Sequence, residues 1–295
     1  MIINQSNLGR LFTGYSAAFQ RGLGQADPQW NRVATRVPST TREEKYAWLG
    51  QTPNLREWIG DRVIKSIEAH DYSIKNKSWE STIEVGRDDI EDDTYGVYSP
   101  LFEEMGRSTA AHPNQLVFSL LGQGFSTACY DGQYFFDTDH PVQTKEGVVS
   151  VSNTGGGSGA AWYLLDTSKV VKPIIFQQRT PFKPQELTSG DSDHVFKRNE
   201  LLFGVDGRCN VGYGLWQTAY ASKQTLDKTA LWAARANMMG FKGDNGEPLG
   251  ITPNLLLVPP SLEEAARTAL EAVIISNTSN VMKGLMKVEV CPWLA

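Results

Sequence analysis

Cysteine and histidine are scarce in this chain. Three cysteines in 295 residues (Cys129, Cys209 and Cys291) are odd in number and share no C-x-x-C spacing. That excludes a disulfide framework and a cysteine-rich zinc module, and it fits incidental thiols kept reduced in a cytosolic setting. The Asn-x-Ser sequons at Asn76 and Asn277 therefore carry no weight. No run of apolar residues is long enough for a membrane span, and residues 1–11 lack the basic segment and apolar stretch of a signal peptide. There is no Gly-Lys pair and no G-x-S-x-G, which removes the P-loop and the serine-hydrolase elbow. An excess of positive charge is missing too: 33 Asp and Glu against 28 Lys and Arg leave a net charge of −5. A chain whose main task is gripping nucleic acid phosphates has the opposite balance. What remains is a soluble protein, 40% hydrophobic, with enough apolar residues for two or three packed regions.

Along the chain the texture changes several times. Gly9, Gly14, Gly22, Gly24, Pro28 and Pro38 interrupt the first 40 residues, yet Leu8, Leu11, Phe12, Tyr15 and Phe19 keep a helical spacing. The rest of this segment reads as an arm that needs another surface to lie on. Residues 45–85 alternate like strands around QTPNLREWIGDR, where Pro53 and Gly60 mark turns. This predicts a long two-stranded ribbon that cannot bury enough surface alone. A bent helical run is predicted over 88–127, with Asp88 and Asp89 opposing the helix dipole and Pro100 and Pro113 breaking or kinking it. From 129 to about 225 strands and glycine turns dominate. The last 70 residues predict a compact α/β unit. In it Asp227 caps a helix ended by Gly240, NLLLV and LMKVEV form strands, and Ser261 with Glu264 makes a capping box for LEEAARTALEAVII.

Four clusters invite chemistry. In CYDGQYFFDTDHPV, Asp137, Asp139 and His140 are the sharpest candidates for a metal or acid–base site. Gly132 and Pro141 mark tight turns there, where Asp side chains bond nearby amides. His70, His112 and His194 offer no partner spacing. The preferred reading is a structural corner anchored by Tyr134, Phe135 and Phe136; the alternative is a metal-dependent hydrolase using Asp137, Asp139 and His140. GGGSGA at 155–160 matches a dinucleotide fingerprint in form, but strand-like AWYLLD follows where a helix is required. DDIEDD (88–93) reads as a helix start. REWIGDR (56–62) sets alternating charges around an aromatic anchor, the composition of an interface hot spot.

NLREWIGDR, IEVGRDDIEDD and CYDGQYFFDTDHP, followed by WYLLDTSKVVKPIIFQQR and FGVDGRCNVGYGLWQ, resemble in that order the major head (capsid) subunit of Mu-like phages and prophages, the T protein family. The resemblance covers nearly the whole chain. It implies an α+β architecture, the tailed-phage major capsid fold (Hong Kong 97 fold). The expected parts are an N-terminal arm (1–40), an extended loop formed as a two-stranded ribbon (41–85), a peripheral domain with spine helix and β-rich block (86–224), and an axial-type α/β unit (225–295). One departure is visible: in many proteins of this fold the strands completing the peripheral domain come last, whereas here the β-rich block at 162–225 precedes the helix-rich unit.

The resemblance further implies a structural role with no catalytic residue, metal or cofactor. Copies would form hexamers and pentamers of a head that encloses double-stranded DNA, with arm and ribbon as moving parts during expansion. The subunit-interface candidates are Trp48, Leu55, Arg56, Trp58, Ile59, Asp61 and Arg62 of the ribbon. Expected partners are the chain itself, a scaffold, a portal, decoration proteins and packaged DNA held without sequence-specific contacts; no membrane is expected. The chain begins directly with the arm, which leads us to expect a separate scaffold. The expected location is the virion capsid, assembled in the host cytoplasm.

Overall fold

The computed structural model describes residues 5–46, 49, 72–92, 96–144, 146–243, 246–275 and 277–295. The helical spacing near the N-terminus becomes α1 (Gln5–Leu23), which buries Tyr15, Ala18 and Phe19. A single turn, α2 (Trp30–Val33), leads straight into β1 (Ala34–Pro38). Two short strands, β2 (Glu43–Lys45) and β3 (Ser73–Lys75), pair antiparallel, and β3 runs on almost directly into β4 (Lys77–Gly86). The predicted bent run is two helices, α3 (Arg87–Asp92) and the long α4 (Ser99–Gly122). Pro100 sits in the first turn of α4, where a missing N–H leaves no bond unmade, and Pro113 lies inside the helix without ending it. Leu101 is 43% exposed, while Phe102, Met105, Val117, Phe118 and Leu121 are buried.

Helix α1 packs against α4. The crossing is close because two glycines face it. A Cβ on Gly22 would overlap the Glu103 carbonyl oxygen, and one on Gly106 would overlap that of Phe19. Side chains then interlock around the backbone contact. Tyr15 stacks on Phe102 with centroids 3.9 Å apart, and Phe203 meets both edge-on. Each aromatic side chain buried this way contributes roughly 2 kcal/mol.

After α4 come the hairpin β5 (His140–Thr144) and β6 (Gly147–Val151), then β7 (Thr154–Gly157) and β8 (Trp162–Leu165). The 14-residue strands β9 (Ile174–Leu187) and β10 (Glu200–Tyr213) are joined through α5 (Asp193–Arg198). The remainder is β11 (Ala219–Lys223), α6 (Lys228–Met239), β12 (Leu255–Val258), α7 (Glu263–Leu270), β13 (Ile274–Ile275), β14 (Thr278–Ser279) and β15 (Lys287–Val290).

Two main sheets organise these strands. The first has the order β1-β9-β10-β4, with β1 parallel to β9 and the other pairs antiparallel. Along β10 burial alternates: Leu201, Phe203 and Val205 point to α1 and α4, and their neighbours stay more exposed. The second sheet has the order β15-β12-β8-β11-β7. Its central strands WYLL and LLLV are buried at every position, as strands covered on both faces are.

The second sheet runs across the expected divide at 224/225. β7, β8 and β11 come from the segment before it, β12 and β15 from the unit after it. Strand propensity says that a segment is extended, not which segment it pairs with. Two details of the C-terminal unit also differ from expectation. Asp227 does cap α6, accepting the Ala230 amide at 2.8 Å, with Leu231 and Met238 fully buried. No capping box forms at α7: a turn over 260–262 precedes it and Leu262, without a side-chain cap, takes the N-cap position. The helix stops at Leu270, short of the end of LEEAARTALEAVII, and Val273 is 62% exposed. GGGSGA supplies an edge strand, β7, and the strand β8 follows, so the dinucleotide fingerprint lacks its helix.

Candidate functional site

The interface candidates Trp48, Leu55, Arg56, Trp58, Ile59, Asp61 and Arg62 lie outside the described residues; the root of the ribbon is within them. There Glu44 caps a turn, accepting the amides of Thr40 at 2.8 Å and Thr41 at 3.0 Å and the Ser39 hydroxyl at 2.9 Å. Those amide bonds hold its carboxyl down at about 2. Asn76, between β3 and β4, donates to Ser39 Oγ at 2.8 Å and to the Thr41 carbonyl at 2.9 Å. Gln177 of β9, fully buried, accepts from the Tyr46 hydroxyl at 2.8 Å and donates to Asn76 Oδ1 at 3.0 Å and the Ile74 carbonyl at 2.9 Å. Leu49 is fully buried beside them. Each of these polar groups, on the residues flanking 47–71, therefore has a fixed partner.

The second candidate is the corner between α4 and β5. The structure separates Asp137 and Asp139 from His140. Asp137 does turn chemistry, accepting the amides of Thr138 at 2.7 Å and Tyr134 at 3.2 Å, and Asp139 is exposed. His140, with no exposed surface, faces Asp131 instead: Nδ1 lies 2.7 Å from Asp131 Oδ2. Nε2 lies 3.3 Å from Asn153 Oδ1, and the ring stacks on Trp216 at 4.1 Å and 10°.

Hydrogen-bond bookkeeping assigns the protons. The Asn153 amide nitrogen donates to the carbonyls of Phe135, Trp216 and Ala219 at 2.8–3.4 Å, so its oxygen must face His140 and the Asp137 amide. His140 Nε2 is thus a donor. Burial pushes the Asp131 carboxyl up, but the bonds from His140 and Cys129, the His140 charge and the Gln133 amide outweigh burial and hold it below the usual aspartate range. Nδ1 faces the Asp131 carboxylate, and the ring is laid flat on the Trp216 indole. Cys129 donates its thiol to Asp131 Oδ1 at 3.1 Å, and burial pushes that thiol up, away from nucleophilic use. Cys129, Asp131 and His140 hold ligand atoms close together, but each is already satisfied by the others. Phe135 and Phe136 anchor the corner as expected; Tyr134 is 48% exposed and does not. Sequence reasoning missed Asp131 and Asn153 as partners because the bonds cross a loop, where no periodicity links them.

The pair α1 and α4 under a sheet with β1 and β4 at its edges is an arrangement shared with a class of proteins, the shell subunits of phage heads with the Hong Kong 97 fold. The chain matches a subunit of the procapsid of bacteriophage JBD30 at 44% identity and a TM-score of 0.88, over 99% of this chain and 100% of that one. The family model described as "Mu-like prophage major head subunit gpT" matches residues 8–294, and the chain belongs to that family. It is 48% identical to the Mu-like prophage FluMu major head subunit of Haemophilus influenzae over 88% of this chain and 87% of the relative. It is 44% identical to the major capsid protein of Escherichia phage Mu over 100% of both. The family's role is structural: a major capsid protein of the phage head, not an enzyme. The hydrolase alternative at Asp137, Asp139 and His140 falls with it, because those side chains do not converge.

Proposed function

We propose that copies of this chain associate into hexamers and pentamers that close into a head around double-stranded DNA, in the host cytoplasm, before the head becomes part of the virion. The observation that carries the reading is the ribbon root. The two ends of a segment rich in Trp, Leu, Ile and Arg are tied together at Tyr46 and Tyr72, whose carbonyl accepts the Tyr46 amide at 2.9 Å. Trp48, Leu55, Arg56, Trp58, Ile59, Asp61 and Arg62 are then the contacts laid on a neighbouring subunit, burying apolar surface that a monomer would expose. Many such contacts per subunit make a stable shell from individually weak ones.

The domain division that best fits this reading groups the first sheet with α1 and α4 as the peripheral part. The second sheet, with α6 and α7, forms the axial part, so that β7, β8 and β11 join 225–295. The net charge of −5 suits an inner wall that repels packed DNA. A scaffold, a portal and decoration proteins complete the set of partners. Negative-stain microscopy and light scattering of the purified chain test the proposal. Rings, sheets or closed shells are expected, and a monodisperse monomer at high concentration would sink it.

A further inference from the structure

A second group of titratable side chains lies at the far end of the first sheet, away from the ribbon root and the corner. Glu84 of β4, His194 of α5 and Glu200 of β10 each bring a ligand atom within 4.8 Å of the others. Register places them there. Glu200 pairs with Gly86 and Leu202 with Glu84, so the two glutamates are diagonal neighbours on the same side of the sheet. The turn that brings His194 over them is held by Asn199. That residue adopts φ 57, donates to Asp88 Oδ1 at 3.1 Å, and accepts the Arg87 amide at 2.9 Å through its carbonyl.

His194 Nε2 stands 3.6 Å from Glu200 Oε2, beyond hydrogen-bonding distance. Both atoms are shielded from solvent, and neither has a hydrogen-bond partner. Shielded polar atoms in folded proteins nearly always have one. Two ligands on one zinc ion, each about 2.0–2.2 Å from it at a tetrahedral angle, stand about 3.4 Å apart. The gap between these two atoms is of that size, and Glu84 closes the third side.

We propose that Glu84, His194 and Glu200 bind one divalent transition-metal ion of the zinc class, with water in the remaining position. An imidazole nitrogen beside two carboxylates selects such an ion over calcium or magnesium, which prefer all-oxygen sites. The ion clips the edge strand β4 and α5 to β10 at the end of the sheet. The competing occupant is a proton, which would make His194 a cation between two carboxylates.

The test is calorimetric titration of the full chain, dialysed against a chelator, with zinc chloride and, in parallel, calcium chloride. One zinc per chain is expected, with a rise of a few degrees in the melting midpoint at saturating zinc and none with calcium. His194→Ala and Glu84→Gln should each weaken zinc binding at least tenfold, and His112→Gln should leave it unchanged. Glu84 is exposed, so its variant folds, which circular dichroism checks. Absence of stoichiometric zinc overturns the proposal, as does zinc binding indifferent to both variants. A melting midpoint unmoved by saturating zinc overturns it too.

Discussion

Asp131 is the residue on which the corner turns. It is the carboxylate partner of a histidine with no exposed surface, and it also accepts the Cys129 thiol and the Gln133 amide. Asp131→Asn weakens this acceptor for all three buried donors, a change that costs about 1–3 kcal/mol. The urea or thermal midpoint should fall accordingly, while Asp139→Asn, at an exposed position, should move it by no more than about 0.5 kcal/mol. The pH dependence has a definite sign. The folded carboxyl titrates below its unfolded value of about 3.9, so its contribution is fully present above that pH and is lost as pH falls through the lowered folded value. The loss of stability below about pH 4 should therefore be smaller in Asp131→Asn than in the parent. At this scale the sequence was half legible. The Asp and His cluster stood out, but the aspartates nearest His140 in the chain are not its partners, and the one nine residues away is.

Among the elements, the pairing of α1 with α4 depends on two positions without a side chain. Gly106→Val must push the Phe19 backbone away, and overpacking of this kind costs about 1–3 kcal/mol. Limited proteolysis should then cut within residues 5–24 faster than in the parent, and the melting midpoint should fall. Gly9→Ala, with open space around it in the same helix, should instead be neutral or stabilising by up to about 1 kcal/mol. The helix itself was readable from the spacing of Leu8, Leu11, Phe12, Tyr15 and Phe19. Its partner was not, because Gly22 and Gly106 look like ordinary helix weakeners until the two backbones are seen to touch. The capping box at Ser261 failed for a related reason: Pro259 and Pro260 start a 3-10 turn before α7, which moves the helix start past the serine.

For the whole molecule, the property proposed above is association. Trp58→Ala should leave the monomer folded by circular dichroism and reduce the yield of shells or rings in negative-stain fields by several-fold, since truncating a central aromatic anchor typically costs about 2 kcal/mol or more per contact. Unimpaired assembly of this variant would remove the ribbon tip from the interface. The metal clip at Glu84, His194 and Glu200 is independent of that result, because it joins elements of one subunit.

Local pattern alone determined much of this protein. Apolar spacing set the helices 5–23, 99–122 and 228–239, uninterrupted apolar runs set the buried strands LLLV and WYLL, and the ordered motifs set the family. These are short-range properties, written in the identity and spacing of neighbouring residues. Only the tertiary structure decided which strands share a sheet, that the N-terminal helix lies on its own chain, and that His140 answers to Asp131 and Asn153. It also decided that Glu84, His194 and Glu200 meet. Each of those outcomes depends on contacts between residues far apart in the chain, fixed by packing and by hydrogen bonds that no local period encodes.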